Sequence, residues 1–468
     1  MRYSRALVAV AILLGIVPVA GDAHIGPHSV NVRNNFFDPQ QLRVDPGESV
    51  SWTALDDGHT VTADDGWFDL PGSGTLSQGQ TVGWTAPATD VLVTYHCKVH
   101  AGMTGVVVVG DPPVPPPPPP PPIEVRAVPS EVYPTIASAL AALPLRVRIE
   151  IEPGAYPEAL TVHAPAPPAG AEPLIEIVGL GADPEEVQIV GAGMRNTGLA
   201  ILAAGVRLEN VTFADFTFAN VYAQGVRGLR IERVHTTGAR YGIRLLAPRG
   251  GRLSGVHVSG AGSAGLSIVG CDPCDLVVDD VDVRSSLAGV HAQNAGGLVI
   301  RHSTFRDNGV GIVLRSDPAE ASRLQRGAHV FGNHIADNTA TFAADPANGD
   351  LPVGAGVWID GGWFDTIEQN SIEDHVYGVA VTGIRAPSVG DRILGNAFDG
   401  SRVADLAWDG IGAGVCLAAN TRPDGTEPSS HPPAADVAYA CGSPGTVGAP
   451  FPVVSAILLA QALGVGPP

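Results

Sequence analysis

Lysine is almost absent from this chain of 468 residues: Lys98 is the only one. With arginine the basic total is 27 against 47 acidic residues, a formal net charge of -20. A surface this acidic repels phosphate backbones, which excludes nucleic acid as a partner. Aromatic residues are scarce at 6%. Long apolar runs are scarce too. Ala6–Ala20 and Pro452–Val465 are the longest, and both fall short of a bilayer span. No transmembrane segment is therefore expected in the mature chain. Cysteine is limited to positions 97, 271, 274, 416 and 441. An odd number leaves one thiol unpaired if the others form disulfides.

What is abundant is glycine (58) and proline (41), set among many aliphatic residues. That mixture favours strands and turns over helices and predicts an all-β protein. The length exceeds one ordinary core, so at least two domains are expected. The opening reads as an export signal over residues 1–23. Arg2 and Arg5 precede the apolar run, and Gly21-Asp22-Ala23 offers small residues for cleavage. The chain is thus expected in the periplasm or outside the cell, where disulfides persist. Cleavage would make His24 the first residue, and a terminal amine beside an imidazole is a second, weaker copper-chelating idea. Residues 111–122 form a linker, with Pro115–Pro122 unbroken and extended. They separate a compact unit at 24–110 from a long unit at 123–468.

The first unit shows short alternating runs: Ser29–Val32, Gln41–Val44, Ser49–Thr53, Gln80–Trp84, Leu92–His96 and Gly105–Val109. Such spacing predicts a β-sandwich. The second unit has a period. Glycine followed by an aliphatic residue recurs at Gly242, Gly265, Gly289, Gly311, Gly356 and Gly378, in steps of 23, 24, 22, 45 and 22. The long step reads as about two periods. Leu229, Leu253, Leu276 and Leu298 repeat alongside. This predicts a β-solenoid. Tyr133–Leu143 has helical spacing and is expected to cap its open end, and Pro452–Val465 to cap the other.

The stretch TYHCKVHAGMTGVVVV carries the strongest chemical signal. Cys97, His100 and Met103 follow Cys-x2-His-x2-Met, and His59 lies upstream just past a strand. Two imidazoles, a thiolate and a weak thioether are the donor set of a blue-copper site. This region, Ser29 to Gly110, resembles the cupredoxins, and its ligand loop is most similar to amicyanin and plastocyanin-like domains. FFDPQQLRVDPGESVSW (Phe36–Trp52) shares in the likeness. The resemblance implies one copper ion held by His59, Cys97, His100 and Met103, and single-electron transfer with a redox partner protein. It also implies that His100 is the ligand nearest solvent. Three departures bear on potential and rigidity. Ala54 stands near the place of an asparagine that braces the copper loop. Gly58 stands where proline is common, and PATDVLVTY replaces the usual turn before the cysteine.

Cys416 and Cys441 are expected to form a disulfide across a polar, proline-rich loop. Cys271-Asp-Pro-Cys274 has redox-motif spacing, but its strand-like flanks favour a local structural disulfide. The long unit is similar to the pectin-lyase-like fold and to the NosD-like periplasmic β-helix proteins, on its repeat and on PGAYPEALTV. That likeness implies a right-handed parallel β-helix that binds a polysaccharide or a protein. Asp360, Asp365, Glu368, Asp374 and His375, with Trp358 and Trp363 nearby, are candidates for acid–base chemistry on sugars. The competing reading makes Asp and Asn turn residues, as at Asn308, Asn333, Asn338, Asn370 and Asn396. Three functions therefore stand side by side. One is an exported electron carrier with a β-helix scaffold. Another is a polysaccharide lyase or hydrolase with an accessory copper domain. The third is a periplasmic copper-handling factor, suggested by fold analogy.

Overall fold

In a computed structural model the described residues are 28–33, 36–100, 103–111, 122–163, 173–320, 324–340, 353–433 and 440–441. The expected signal segment, His24, most of the linker and Pro452–Val465 lie outside them. The chain divides into two compact units, Met1–Pro120 and Pro121–Pro468. The described residues are nearly all-β, as the composition predicts.

In the first unit, alternation of apolar and polar residues gives each strand one buried face, and two sheets close over it. The first sheet orders β1 (His28–Arg33), β2 (Phe36–Asp38), β4 (Ser49–Ala54) and β7 (Thr81–Thr85) as β2-β1-β4-β7. The second contains β3 (Gln41–Val44), β5 (Val61–Ala63), β6 (Asp69–Leu70), β8 (Val91–His96) and β9 (Thr104–Val109). It runs β3-β9-β8-β5-β6. Val30, Val32, Trp52, Val93 and Val107 are fully buried between them. Tyr95 packs edge-on to Phe37 and Trp52, with ring centroids 4.7 and 5.4 Å apart.

The second unit is a parallel solenoid. Each coil gives one long strand or two short ones to a large sheet and one strand to a second sheet of 11 strands. All pairing between coils is parallel, so a residue sits above the same residue of the previous coil. One inward column runs Ile149, Ile177, Leu208, Ile231, Leu253, Val278, Ile300, Val330, Ile367, Ile393 and Leu417. All of these are buried.

This register corrects the leucine series. Leu253 pairs with Ile231 and Val278, whereas Leu229 pairs with Gly251 and that glycine with Leu276. The four leucines thus belong to two columns that share one spacing. It also corrects the 45-residue step. Ile312 pairs directly with Val357, so Gly311 and Gly356 lie on neighbouring coils. The extra residues are one coil's insertions, carried between strands Val310–Arg315 and Ala355–Asp360.

The capping helix is also shorter than its sequence pattern. One turn forms, Ile136–Ala139, with a capping box between Thr135 and Ser138. Glu158 accepts from the Ile136 and Ala137 amides at 3.1 and 2.9 Å. Arg126 then donates to the carbonyls of Ala139 and Ala141 at 2.6 and 2.9 Å, which satisfies the helix end where it stops.

The periodic glycines are explained by close stacking. A β-carbon on Gly242, Gly265, Gly289, Gly311 or Gly356 would lie 2.4–3.0 Å from the carbonyl oxygen of the next glycine in the series. Gly356→Ala is expected to destabilise the solenoid by about 1–3 kcal/mol, because a methyl would also strike the His375 ring. Gly262→Ala, where the nearest atom is 3.8 Å away, is expected to be near neutral. Urea unfolding of the two variants checks the contrast.

Candidate metal centre

Three strand ends of the first unit converge. The hairpin of β8 and β9 pairs His96 with Thr104, so residues 97–103 form a short loop between them. The loop is tight: the Cys97 amide donates to the Met103 carbonyl at 3.0 Å, and the Met103 amide to the His100 carbonyl at 3.3 Å. The short strand β5 pairs Thr62 with His96. That pairing carries His59, three residues earlier, to the side of Cys97.

The donor atoms of His59, Cys97 and His100 all lie within 4.8 Å of one another. Cys97 Sγ and His100 Nδ1 are 3.5 Å apart. The two imidazole centroids are 4.7 Å apart. His59, Cys97 and Met103 are buried, and His100 is partly exposed. His59 Nε2 is held by Asp56 Oδ1 at 2.7 Å, while its Nδ1 is buried without a hydrogen-bond partner. A buried, unpartnered imidazole nitrogen beside a thiol is costly unless something binds it. Burial pushes the Cys97 thiol up. The amides of Thr60, Val99 and His100 and the His100 ring outweigh that and leave it below the usual thiol range. The group can therefore hold a metal ion, and Met103 lies buried in the same core cluster.

Two residues of this centre carried no sequence signal. Thr60 donates its amide to Cys97 Sγ at 3.3 Å, and its hydroxyl accepts from the Lys98 amide at 2.8 Å. Thr60, directly after His59, thus ties the Cys97 loop to the neighbouring strand. Ala54 has no polar side chain to offer and is fully buried. Asp56 orients His59. Only the residue types next to a ligand could have hinted at either.

Disulfides join Cys271 to Cys274 and Cys416 to Cys441, and Cys97 is the free cysteine. Such bonds are compatible with an exported protein. Among the described residues no helix is long and apolar enough to cross a membrane.

The acidic candidates of the solenoid are spread over different corners. Asp360 ends the strand Ala355–Asp360, and Asp365 precedes Thr366–Glu368. Asp374 and His375 lie beyond Ser371–Glu373, on the far side of the large sheet. Asp374 is exposed, whereas Asp360, Asp365 and His375 are fully buried. Glu368 pairs with His329 at 2.8 Å. Trp358 is buried and donates to Thr382 Oγ1 at 2.9 Å, so it presents no ring to a sugar. Trp363 is partly exposed and donates to the Pro387 carbonyl.

Asp365 and His375 belong to polar ladders. Asn333, Asn370, Asn396 and Asn420 stack on successive coils. The Oδ1 of Asn370, Asn396 and Asn420 each accepts the backbone and side-chain N–H of the asparagine before, at 2.9–3.1 Å. Asn308 and Asn338 form a second ladder that ends on His375. A third holds Gln325, Asp365 and Asp391: Asp365 Oδ1 accepts from the Ala328 amide at 2.7 Å, and Asp391 Oδ1 from the Asp365 amide at 3.0 Å. Asp365 Oδ2 occupies the place where asparagine would donate, and has no partner. Burial, with Asp391 alongside, pushes Asp365 well above the carboxylate range. Burial pushes Asp391 up to about 7, and likewise Asp360 to about 7. His375 is pushed down to about 4 by burial.

Residues 189–398 match a family described as the right handed beta helix region. The second unit is therefore a right-handed β-helix. No curated protein matches the chain. Among solved structures it is similar to a copper-containing nitrite reductase from Thermus scotoductus SA-01. Identity is 24% over 21% of this chain and 26% of that one, with a TM-score of 0.17. The chain thus spans about a quarter of that enzyme's length. It is also similar to a point mutant of amicyanin in its reduced Cu(I) form, at 24% identity. That match covers 20% of this chain and 86% of that one, with a TM-score of 0.17. A purple cupredoxin from Nitrosopumilus maritimus is similar at 20% identity, over 18% and 99% of the two chains, TM-score 0.16.

The aspartate ladder makes the solenoid pH-sensitive. Native Asp365 and Asp391 hold protons that the unfolded chain releases from about pH 4, so stability from this pair falls as pH rises above that, for Asp391 up to about 7. The double change Asp365→Asn, Asp391→Asn supplies the missing donors. It is expected to remove that slope and to stabilise the protein at pH 8 by up to about 4 kcal/mol, with little gain at pH 4. Denaturant unfolding at the two pH values measures the difference.

Proposed function

We propose that this chain, a right-handed β-helix preceded by a cupredoxin-like sandwich, is an exported type-1 copper protein that passes single electrons. The observation that carries this reading is that His59, whose buried Nδ1 has no hydrogen-bond partner, has its donor atom within 4.8 Å of those of Cys97 and His100. His59, Cys97 and His100 would hold copper through two nitrogens and a thiolate, with Met103 as a weak axial donor. Bound copper would supply a one-electron Cu(II)/Cu(I) couple.

The residues around the site serve that task. Asp56 fixes the His59 ring through Nε2 and leaves Nδ1 as the donor. The Thr60 amide and the nearby loop amides favour the thiolate, so Cys97 is prepared for a cation. Tyr95, Trp52 and Phe37 share one buried core cluster with Cys97 and Met103, which keeps that side of the site dry. His100 is the partly exposed ligand and gives the electron its way out to a redox partner.

The β-helix would serve as a scaffold for binding that partner or a polysaccharide. A groove of about 940 Å³ on the outer face of its large sheet supports this. Arg207, Arg230 and Arg252 line it on consecutive coils. A carbohydrate-cleaving role finds less support, because Asp360, Asp365 and His375 are buried.

Cu(II) titration of the full chain is expected to give an intense thiolate-to-copper absorption band that saturates at one copper. Cys97→Ser is expected to abolish it. Thr60→Val is expected to keep the colour while shifting the band and the reduction potential. A protein that stays colourless, or a band that survives Cys97→Ser, overturns the reading.

A further inference from the structure

Parallel stacking puts His235 directly beside His257 on the next coil, and Asp282 on the coil after that. The two imidazoles meet edge to face, with centroids 4.6 Å apart and planes at 74°. His235 Nδ1 lies 2.7 Å from Glu185 Oε1, and His257 Nδ1 lies 3.8 Å from Asp282 Oδ2. The rings line a cavity of about 260 Å³ together with Thr212, Glu185 and Asp282. Asp282 Oδ1 and Thr212 Oγ1 are shielded there and have no hydrogen-bond partner.

Other carboxylate-bound histidines of this sheet have no imidazole on the adjacent coil. His329 has Val299 and Thr366 as its neighbours there, and His334 has Thr304 and Ser371. Among the described residues of the sheet, the coil repeat pairs two imidazoles in register at 235 and 257. Glu185 holds His235 through Nδ1 and Asp282 faces His257 Nδ1 from 3.8 Å, so Nε2 is the ring nitrogen left to ligate. That is the arrangement in which a histidine ligates a metal while its other nitrogen is held by an acid. Two imidazoles with oxygen donors and no thiolate suit a divalent ion such as Cu(II) or Zn(II).

The geometry points to a second metal site on the β-helix: His235 and His257 bind a divalent transition ion through Nε2, and Glu185 and Asp282 position the rings. It belongs to the second unit and does not depend on the thiolate centre.

The test uses the full chain carrying His59→Ala, Cys97→Ser and His100→Ala, which removes the first centre, titrated with Cu(II) and followed by electron paramagnetic resonance. The expected result is one equivalent of ordinary, non-blue copper with nitrogen hyperfine structure. His235→Ala with His257→Ala removes that signal, and Glu185→Gln weakens binding about 10–100-fold. A chain without the first centre that takes up no copper, or a signal unchanged when His235→Ala and His257→Ala are added to it, overturns the proposal. A second measurement needs no variant. Zn(II) is expected to protect His235 and His257 of the natural chain from diethylpyrocarbonate, read by peptide mass mapping. Protection confined to His59 and His100, or no protection, also overturns it.

Discussion

Backbone pairing between successive coils is the interaction from which the rest of the second unit follows. Each strand of the solenoid hydrogen-bonds in parallel to its counterparts one coil away, about 4.8 Å distant. Side chains therefore stack on their own kind. Aliphatic residues stack into a continuous core, asparagines into amide ladders, and glycines into a line where backbones touch. The same rule turns a single substitution into a repeated environment, since every residue of a ladder is both donor and acceptor for its neighbours. A carboxylate in such a ladder keeps the acceptor and loses the donor, and burial there pushes Asp365 and Asp391 above the usual carboxylate range.

The first unit solves a different problem with antiparallel pairing. There the β8–β9 hairpin fixes a seven-residue loop, and the short β5 pairs to β8 so that His59 meets it. Rigidity comes from the backbone: the Cys97 and Met103 amides close the loop on itself, and Thr60 ties it to the neighbouring strand. The His59, Cys97 and His100 group is thereby assembled largely by main-chain geometry, with the Thr60 hydroxyl and Asp56 adding side-chain contacts.

Much of this was legible in the sequence because it is periodic or tightly spaced. Cys97, His100 and Met103 announce themselves by spacing, and the glycine steps announce the coil. What escaped depends on partners distant in the chain. Whether Leu253 belongs with Leu229 or with Ile231 is decided by register, and two residues of slippage keep the same spacing. The 45-residue interval reads equally as two coils or as one with insertions, until Ile312 is seen against Val357. Asp360 and Asp365 look like sugar-cleaving acids in a row of letters, since burial is not written there. Thr60 and Asp56 are ordinary residues whose roles exist only once β5 has met β8.

The glycine line has one more consequence. Because backbones on neighbouring coils touch there, residues can be added only at the corners, as between Val310–Arg315 and Ala355–Asp360. Elsewhere the molecule behaves as a ruler with fixed graduations. Gaining or losing a whole coil keeps every column in phase, whereas a shift of one residue within a strand turns its inward set outward. Length in this solenoid is therefore quantised, and the distance between any two groups on its surface is set by counting coils.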